Sequence, residues 1–314
     1  MSSTSPKISI ILPTYNRERF LPAAINAILA QSETDWELIV VNDHSPDNTI
    51  TVVEEYIKKD SRIRLITNDV NKKLPASLNE GFRHARGKYF TWTSDDNLYH
   101  PNALQMMSGY LDAHKGTDMV VMNSAMLDEN DEPVFDTYDF AHRYNHERNA
   151  AYLASVNNVN AAFMYTREIA NEVGEYDVDT FCAEDYDYWI RIALKGNIAY
   201  TDDIVYTYRL HSASLTETEK GIIAPLTQKL IDKYADNLLN KYYTKWIDKY
   251  KFAYTNRNTR LKNHTLTALC GKCSYRLLKL ATSFIFWSSK KRKAIRQAIK
   301  NWHETYSFTI LRQK

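Results

Sequence analysis

Short apolar runs alternate with amphipathic segments through the first two-thirds of the chain, and this alternation predicts an element order. Residues 8–12 predict a strand, and residues 20–31 predict a helix with Ala23, Ala24, Ala27 and Ile28 on one side. Residues 38–41 predict the next strand and residues 50–58 the next helix, opened by SPDNT. A third strand is expected over 63–67, a third helix over 76–85 with Gly87 as its C-cap, and a fourth strand over 89–93. A further helix starts near Pro101, and residues 119–126 predict another strand, followed by DENDEP as a turn. Residues 136–160 are polar and aromatic without a period and read as a variable loop; residues 184–196 read as a helix, and 198–208 as a pair of short strands around TDD. Such alternation marks an α/β domain with a largely parallel sheet.

From about Gly221 the spacing changes to that of long helices. Ile223, Leu226, Leu230, Tyr234 and Leu238 recur at helical intervals, and Leu277, Leu278, Phe284 and Ile285 form another apolar stripe. Charge divides the chain in nearly the same place. Residues 1–240 carry 22 Lys and Arg against 36 Asp and Glu, a net −14, whereas residues 241–314 carry 18 against Asp248 and Glu304 alone, a net +16. Regions so unlike each other usually meet different partners. The 44% hydrophobic content of 314 residues builds a full core. No run of about 20 apolar residues suggests a membrane span, and the polar stretch 1–7 is no signal peptide, so a cytoplasmic protein is expected. Three cysteines cannot frame disulfides, and the Cys270-Gly-Lys-Cys273 pair supplies only half of a zinc site.

The candidate chemistry lies in the loops that follow the early strands: PTYNRE, NDHSPDNT and SDDN. In open α/β sheets the carboxyl edge of the strands is where ligands bind. Tyr15 could pack at a strand end and Asp43 could make a turn or cap a helix, so both also have ordinary structural readings. The adjacent Asp95 and Asp96 are harder to explain by capping. Like charges side by side become stable when a divalent cation shares them, and Mg²⁺ typically binds one or two carboxylates plus substrate phosphates. A second acidic cluster, Glu184, Asp185 and Asp187, opens a helix, where the helix dipole favours acids and where one of them could also act as a general base. Neither a Gly-x-Gly-x-x-Gly turn nor a Gly-x-x-x-x-Gly-Lys-Ser/Thr loop is present, which argues against dinucleotide dehydrogenases and P-loop enzymes.

Taken in order, ISIILPTYNRERFLPAAINAILAQS, WELIVVNDHSPDNT, LPASLNEGFRHARGKYFTWTSDDNLYHP, EVGEYDVDTFCAEDYDYWIRIALKG and YTYRLHSASLT resemble inverting glycosyltransferases of family 2, over residues 7 to about 216. The resemblance implies a GT-A fold, a Rossmann-like mixed sheet flanked by helices. Its catalytic domain would span 1–216, with a nucleotide-binding half of about 1–100 and an acceptor half of about 101–216. A basic, mainly helical extension would follow over 217–314. The resemblance further implies that Pro13, Tyr15, Asp43, Lys73 and Asp95 bind the nucleotide of the donor. Asp96, with Asp95 and His211, would hold Mg²⁺ or Mn²⁺. Asp185 would be the catalytic base, supported by Glu184 and Arg209. Asn42 stands where the family usually has the first of two acids, and Thr93 where its Asp-x-Asp pattern has the leading one.

The activity so implied is metal-dependent transfer of one sugar from a nucleoside-diphosphate sugar, a UDP-sugar, to a glycan or lipid-linked glycan acceptor in cell-surface polysaccharide synthesis. The missing Gln-x-x-Arg-Trp motif points to a nonprocessive enzyme. The alternatives are a metal-dependent sugar-phosphate nucleotidyltransferase, which would want a Gly-rich basic loop after the first strand, and a noncatalytic nucleotide-sugar-binding scaffold. For residues 241–314, the basic and aromatic mixture fits docking on the acidic domain or an anionic membrane surface, the latter placing the protein on the cytoplasmic face. Nucleic acid is the least favoured partner, because no recognition module is visible.

Overall fold

The computed structural model describes residues 5–128, 132–135 and 149–244. Met1–Tyr242 forms one compact unit and Tyr243–Lys314 a second. Nearly all of the basic region 241–314, with Cys270, Cys273 and the apolar stripe of 277–285, lies outside the described residues.

Four parallel strands build the first half: β1 (Ile8–Thr14), β2 (Trp36–Asn42), β3 (Ile63–Thr67) and β4 (Tyr89–Trp92). β1 and β2 are buried at every position, which is why they read as unbroken apolar runs rather than as alternation. Helices α1 (Leu21–Leu29), α2 (Thr49–Ile57) and α3 (Leu74–Arg83) connect them. Ile8, Ile10 and Leu12 of β1 join Leu21, Ile25 and Val53 in one apolar core. On the opposite face Ile11 meets α3, where a Cβ on Gly81 would lie 2.5 Å from the Ile11 side chain. Filling that gap costs about 1–3 kcal/mol in a packed core.

The remaining elements are β5 (Leu98–Tyr99), α4 (Ala103–Ala113), β6 (Met119–Leu127), β7 (Pro133–Phe135), β8 (Phe163–Thr166), α5 (Arg167–Val173), α6 (Glu184–Lys195), β9 (Ile198–Arg209), α7 (Leu215–Thr218) and α8 (Lys220–Tyr242). Among the described residues the strands form one mixed sheet in the order β3-β2-β1-β4-β8-β6-β9-β5, with β7 paired to β6. β8 runs antiparallel to both β4 and β6, while β9 runs parallel to β6.

Three expectations are corrected here. Residues 198–209 are one strand: two register shifts against β6 let the chain bulge outward at Asp202 and Asp203, and Asn123 Nδ2 donates to the Asp202 carbonyl at 2.9 Å. Gly87 is not a helix cap, since α3 ends at Arg83; it lies where a Cβ would sit 2.4 Å from the Ser9 backbone nitrogen. The helix expected to open the extension, α8, belongs to the first compact unit. Its Lys241 Nζ donates to the carbonyls of Ala193 at 2.8 Å and Gly196 at 2.6 Å, and its Tyr234 hydroxyl donates to Asp187 at 3.1 Å. A cation on the last carbonyls of α6 complements that helix's dipole, and α8 thereby fixes the helix that carries the second acidic cluster.

Candidate active site

Because β1, β2 and β4 are parallel, their carboxyl ends deliver three loops to one edge. Thr14 and Asn42 are register partners, so Tyr15 and Asp43 leave the sheet side by side. Tyr15 is 47% exposed at this edge. Asp43 is buried and accepts from Asn68 Nδ2 and from the backbone N–H groups of Lys72 and Lys73, each at 2.8 Å. The carboxylate thus organises the 68–73 loop, and Lys73 holds a left-handed backbone (φ 71°) to make its bond. Pro13 departs from the expected set: it is buried inside β1 opposite Val41 and shapes the strand end.

Asp95 and Asp96 follow β4 directly. Asp95 is 7% exposed, and burial, followed by the charge of Asp96, pushes its carboxyl up to about 7. Asp96 Oδ2 lies 3.0 Å from His211 Nε2, and its backbone carbonyl accepts from Arg209 Nη1 at 2.9 Å. The His211 ring stacks on Phe20 at 5.3 Å, and the Arg209 guanidinium sits 5.9 Å from the same ring. Arg17 Nη2 donates to the Ala213 carbonyl, so the loop after β1 and the loop after β9 are joined. Thr93 is turned away from this group: its hydroxyl pairs with the buried Tyr206 hydroxyl at 2.6 Å.

The donor set suits a hard divalent cation. Asp96 and His211 present an oxygen and a nitrogen at one point, beside the second carboxylate, Asp95, which burial and then the charge of Asp96 push up to about 7. Among the described residues no cluster of three acidic, histidine or cysteine ligands occurs, so a cation here would draw further oxygens from a bound ligand.

Asp185 begins α6. Its Oδ1 accepts from the Tyr186 N–H at 2.6 Å, and its Oδ2 accepts from Asn157 Nδ2 at 3.0 Å. Burial raises its pKa, and these donors work against that rise. Glu184, 4% exposed, accepts from the Cys182 N–H at 2.7 Å and is pushed up to about 8 by burial and then by Asp185. With two donors and a partly exposed side chain, Asp185 is the better anion of the pair, and Glu184 keeps its proton longer. Asn157, which orients Asp185, was missed from sequence; NNVN within an alanine-rich segment was its only signal.

Glu184 also sets a stability test. Its folded pKa lies above the ordinary glutamate value of 4.5, so its contribution is full below that value and is lost as pH rises through about 8. Wild type should therefore lose thermal stability progressively between about pH 4.5 and about pH 8. Glu184→Gln, which carries no proton to lose, should melt a few degrees higher than wild type at the upper pH, on a scale of about 2–4 °C per kcal/mol. Parallel melting curves for the two proteins across this range would contradict the assignment.

The two acidic groups border one cavity of about 510 Å³, with Asp96 on one part of its wall and Glu184 and Asp185 on another. A carboxylate able to take a proton and a carboxylate paired with an imidazole thus border one cavity, an arrangement suited to displacing an anionic leaving group with a hydroxyl nucleophile.

Comparison with known proteins identifies the family and the fold. The model of glycosyl transferase family 2 matches residues 9–174. The chain is 38% identical over 128 residues to the putative glycosyltransferase EpsE of Bacillus subtilis (strain 168), covering 40% of this chain and 46% of that protein. It is 37% identical over 99 residues to WfgD of Escherichia coli, a UDP-Glc:alpha-D-GlcNAc-diphosphoundecaprenol beta-1,3-glucosyltransferase, covering 32% and 38% respectively. These matches span less than half the length of either relative. In fold, the chain is similar to the mannosyltransferase PcManGT of Pyrobaculum calidifontis, solved with GDP-Man and Mn²⁺, at TM-score 0.57 and 18% identity over 99% of this chain and 89% of that one.

Proposed function

The chain belongs to glycosyl transferase family 2, and from that premise we propose that it transfers a single sugar, with inversion, from a UDP-sugar to a hydroxyl of a glycan or lipid-linked glycan in surface polysaccharide synthesis. The observation that carries this reading is the shared cavity with Asp96, the partner of His211, at one part of its wall and Asp185 at another. The name of WfgD, with its UDP-linked donor and lipid diphosphate acceptor, supports the choice of donor and acceptor class.

In this mechanism Tyr15 stacks on the base of the donor, and the loop ordered by Asp43 walls its edge. Asp96 and His211, with Asp95 adjacent, are the residues that would hold Mg²⁺ or Mn²⁺, which when bound would supply Lewis acidity toward a departing diphosphate. Arg209, bonded to the Asp96 carbonyl, and Arg17, bonded to the Ala213 carbonyl, keep cationic side chains beside the same phosphates. Asp185, oriented by Asn157, accepts the acceptor hydroxyl proton as that oxygen attacks the anomeric carbon. A single displacement inverts the anomeric centre and needs no covalent intermediate.

The test is a calorimetric panel of nucleotides and nucleotide sugars with and without Mn²⁺. Metal-dependent binding of one UDP-sugar, followed by its transfer with inversion, is the expected result. Release of pyrophosphate from a nucleoside triphosphate and a sugar phosphate would instead establish a nucleotidyltransferase.

A further inference from the structure

Phe20 has neighbours that a packing residue does not need. It stands at the start of α1, where its N–H donates to the Arg17 carbonyl at 3.0 Å and its carbonyl accepts from the Ala23 N–H at 3.0 Å. The next residue, Leu21, is fully buried in the core, so the backbone of Phe20 is held on both sides. Its ring is half-buried and turns to the loop after β9: His211 stacks on it at 5.3 Å with an interplanar angle of 26°, and the Arg209 guanidinium lies 5.9 Å from its centre. Arg19 sits 5.5 Å from the same ring. An aromatic face attracts cations and stacks on an imidazole. The ring thus touches the two residues that bond to Asp96, His211 through the carboxylate and Arg209 through the backbone carbonyl.

One hydrogen bond to Asp96 fixes where His211 Nε2 lies but not the plane of the imidazole. The lone pair by which an imidazole nitrogen holds a cation lies in that plane, so a tilted ring misses its target even when the atom is in place. Resting on the glycosyl-transfer reading and its cation, we propose that Phe20 is a positioning residue of the cation site: its face sets the plane of His211, so that Nε2 stays aimed at the point it shares with Asp96, and it keeps Arg209 alongside. In this role Phe20 touches no substrate and acts through His211. The same loop carries Tyr15 and the Arg17 that holds the Ala213 carbonyl. One segment after β1 therefore serves the base at one end and the cation at the other.

The experiment is calorimetric titration of Mn²⁺ into the full chain in the presence of UDP, for wild type, Phe20→Leu and Phe20→Tyr. Leucine keeps apolar bulk without an aromatic face, and tyrosine keeps the face. Phe20→Leu should bind Mn²⁺ about 10-fold more weakly, as loss of an orienting partner does at other metal sites, and Phe20→Tyr should stay close to wild type. UDP binding in the presence of a chelator should be the same in all of them, because Tyr15 and Asp43 are untouched. In a His211→Ala background the leucine substitution should cost nothing further, since its effect passes through the imidazole that has been removed. A purely structural Phe20 would lower Mn²⁺ affinity by the same factor with His211 present or absent. Phe20→Met repeats the test should melting curves show that the leucine variant does not fold. Unchanged Mn²⁺ affinity in a folded variant without the ring overturns the proposal, as does a loss that persists in the His211→Ala background or a wild type whose UDP binding ignores Mn²⁺. The two readings fail separately. Mn²⁺-dependent UDP binding that needs Asp96 but not Phe20 leaves the glycosyl-transfer reading standing and removes this role, whereas a Phe20-dependent Mn²⁺ site without sugar transfer does the reverse.

Discussion

Asp185→Asn should fold, bind donor with nearly unchanged affinity, and transfer sugar roughly 10²- to 10⁴-fold more slowly than wild type. The size follows from the role. An asparagine cannot accept the hydroxyl proton, while its carbonyl can still receive the Tyr186 N–H that now holds Oδ1. The amide nitrogen would face Asn157 Nδ2, donor to donor, so a melting curve should accompany the kinetics. Replacing this half-buried carboxylate with a neutral amide removes a charge that burial disfavours, so little stability should be lost. Single-turnover transfer reports the chemical step, and calorimetry reports donor binding. A rate within tenfold of wild type would move the base elsewhere. The upward shift of Asp185 carries a pH signature as well. A base must be ionised to act, so kcat/KM should fall as pH drops through a value above the ordinary aspartate range, and the variant should lose that acid limb.

Asp96→Ala should act on binding. Removing the carboxylate leaves His211 as the nearest remaining donor of the pair and frees it from its partner at 3.0 Å. Loss of even an indirect support typically costs 10- to 100-fold in metal affinity, so loss of a direct ligand should cost at least about 100-fold in metal-dependent donor binding. Titration of UDP-sugar with and without Mn²⁺ tests this: wild type stripped with a chelator should behave like the variant, and added metal should rescue only wild type. Donor affinity that is unchanged in Asp96→Ala would remove the cation from this position.

Much of this site was legible because of where the sheet is buried. Strands covered on both faces leave unbroken apolar runs, and the polar residues that end each run then stand out as a ligand edge. Tyr15, Asp43, Asp95 and Asp96 stand out in that way, and the sheet brings all four to one edge. What escaped was set by contacts distant in sequence. β5 is two residues long and β8 four, too short for any period to register. The bulge in β9 is invisible without the β6 register, and it made one strand read as two. Phe20 looked like the start of a helix, although its ring carries His211. Pro13 fell at a motif position yet lies inside the strand, and the role of Asn157 depends on the fold bringing it to Asp185.

The bond from Arg17 to the Ala213 carbonyl joins residues 196 apart, and the Asp96–His211 pair spans 115. During synthesis the chain emerges amino end first, and contacts of such long range form late because their loops are costly to close. The nucleotide half can therefore gather its sheet before His211 has left the ribosome. The proton acceptor and the histidine arm are made only after that sheet, so the nascent polypeptide lacks a complete reaction centre until residue 211 has emerged.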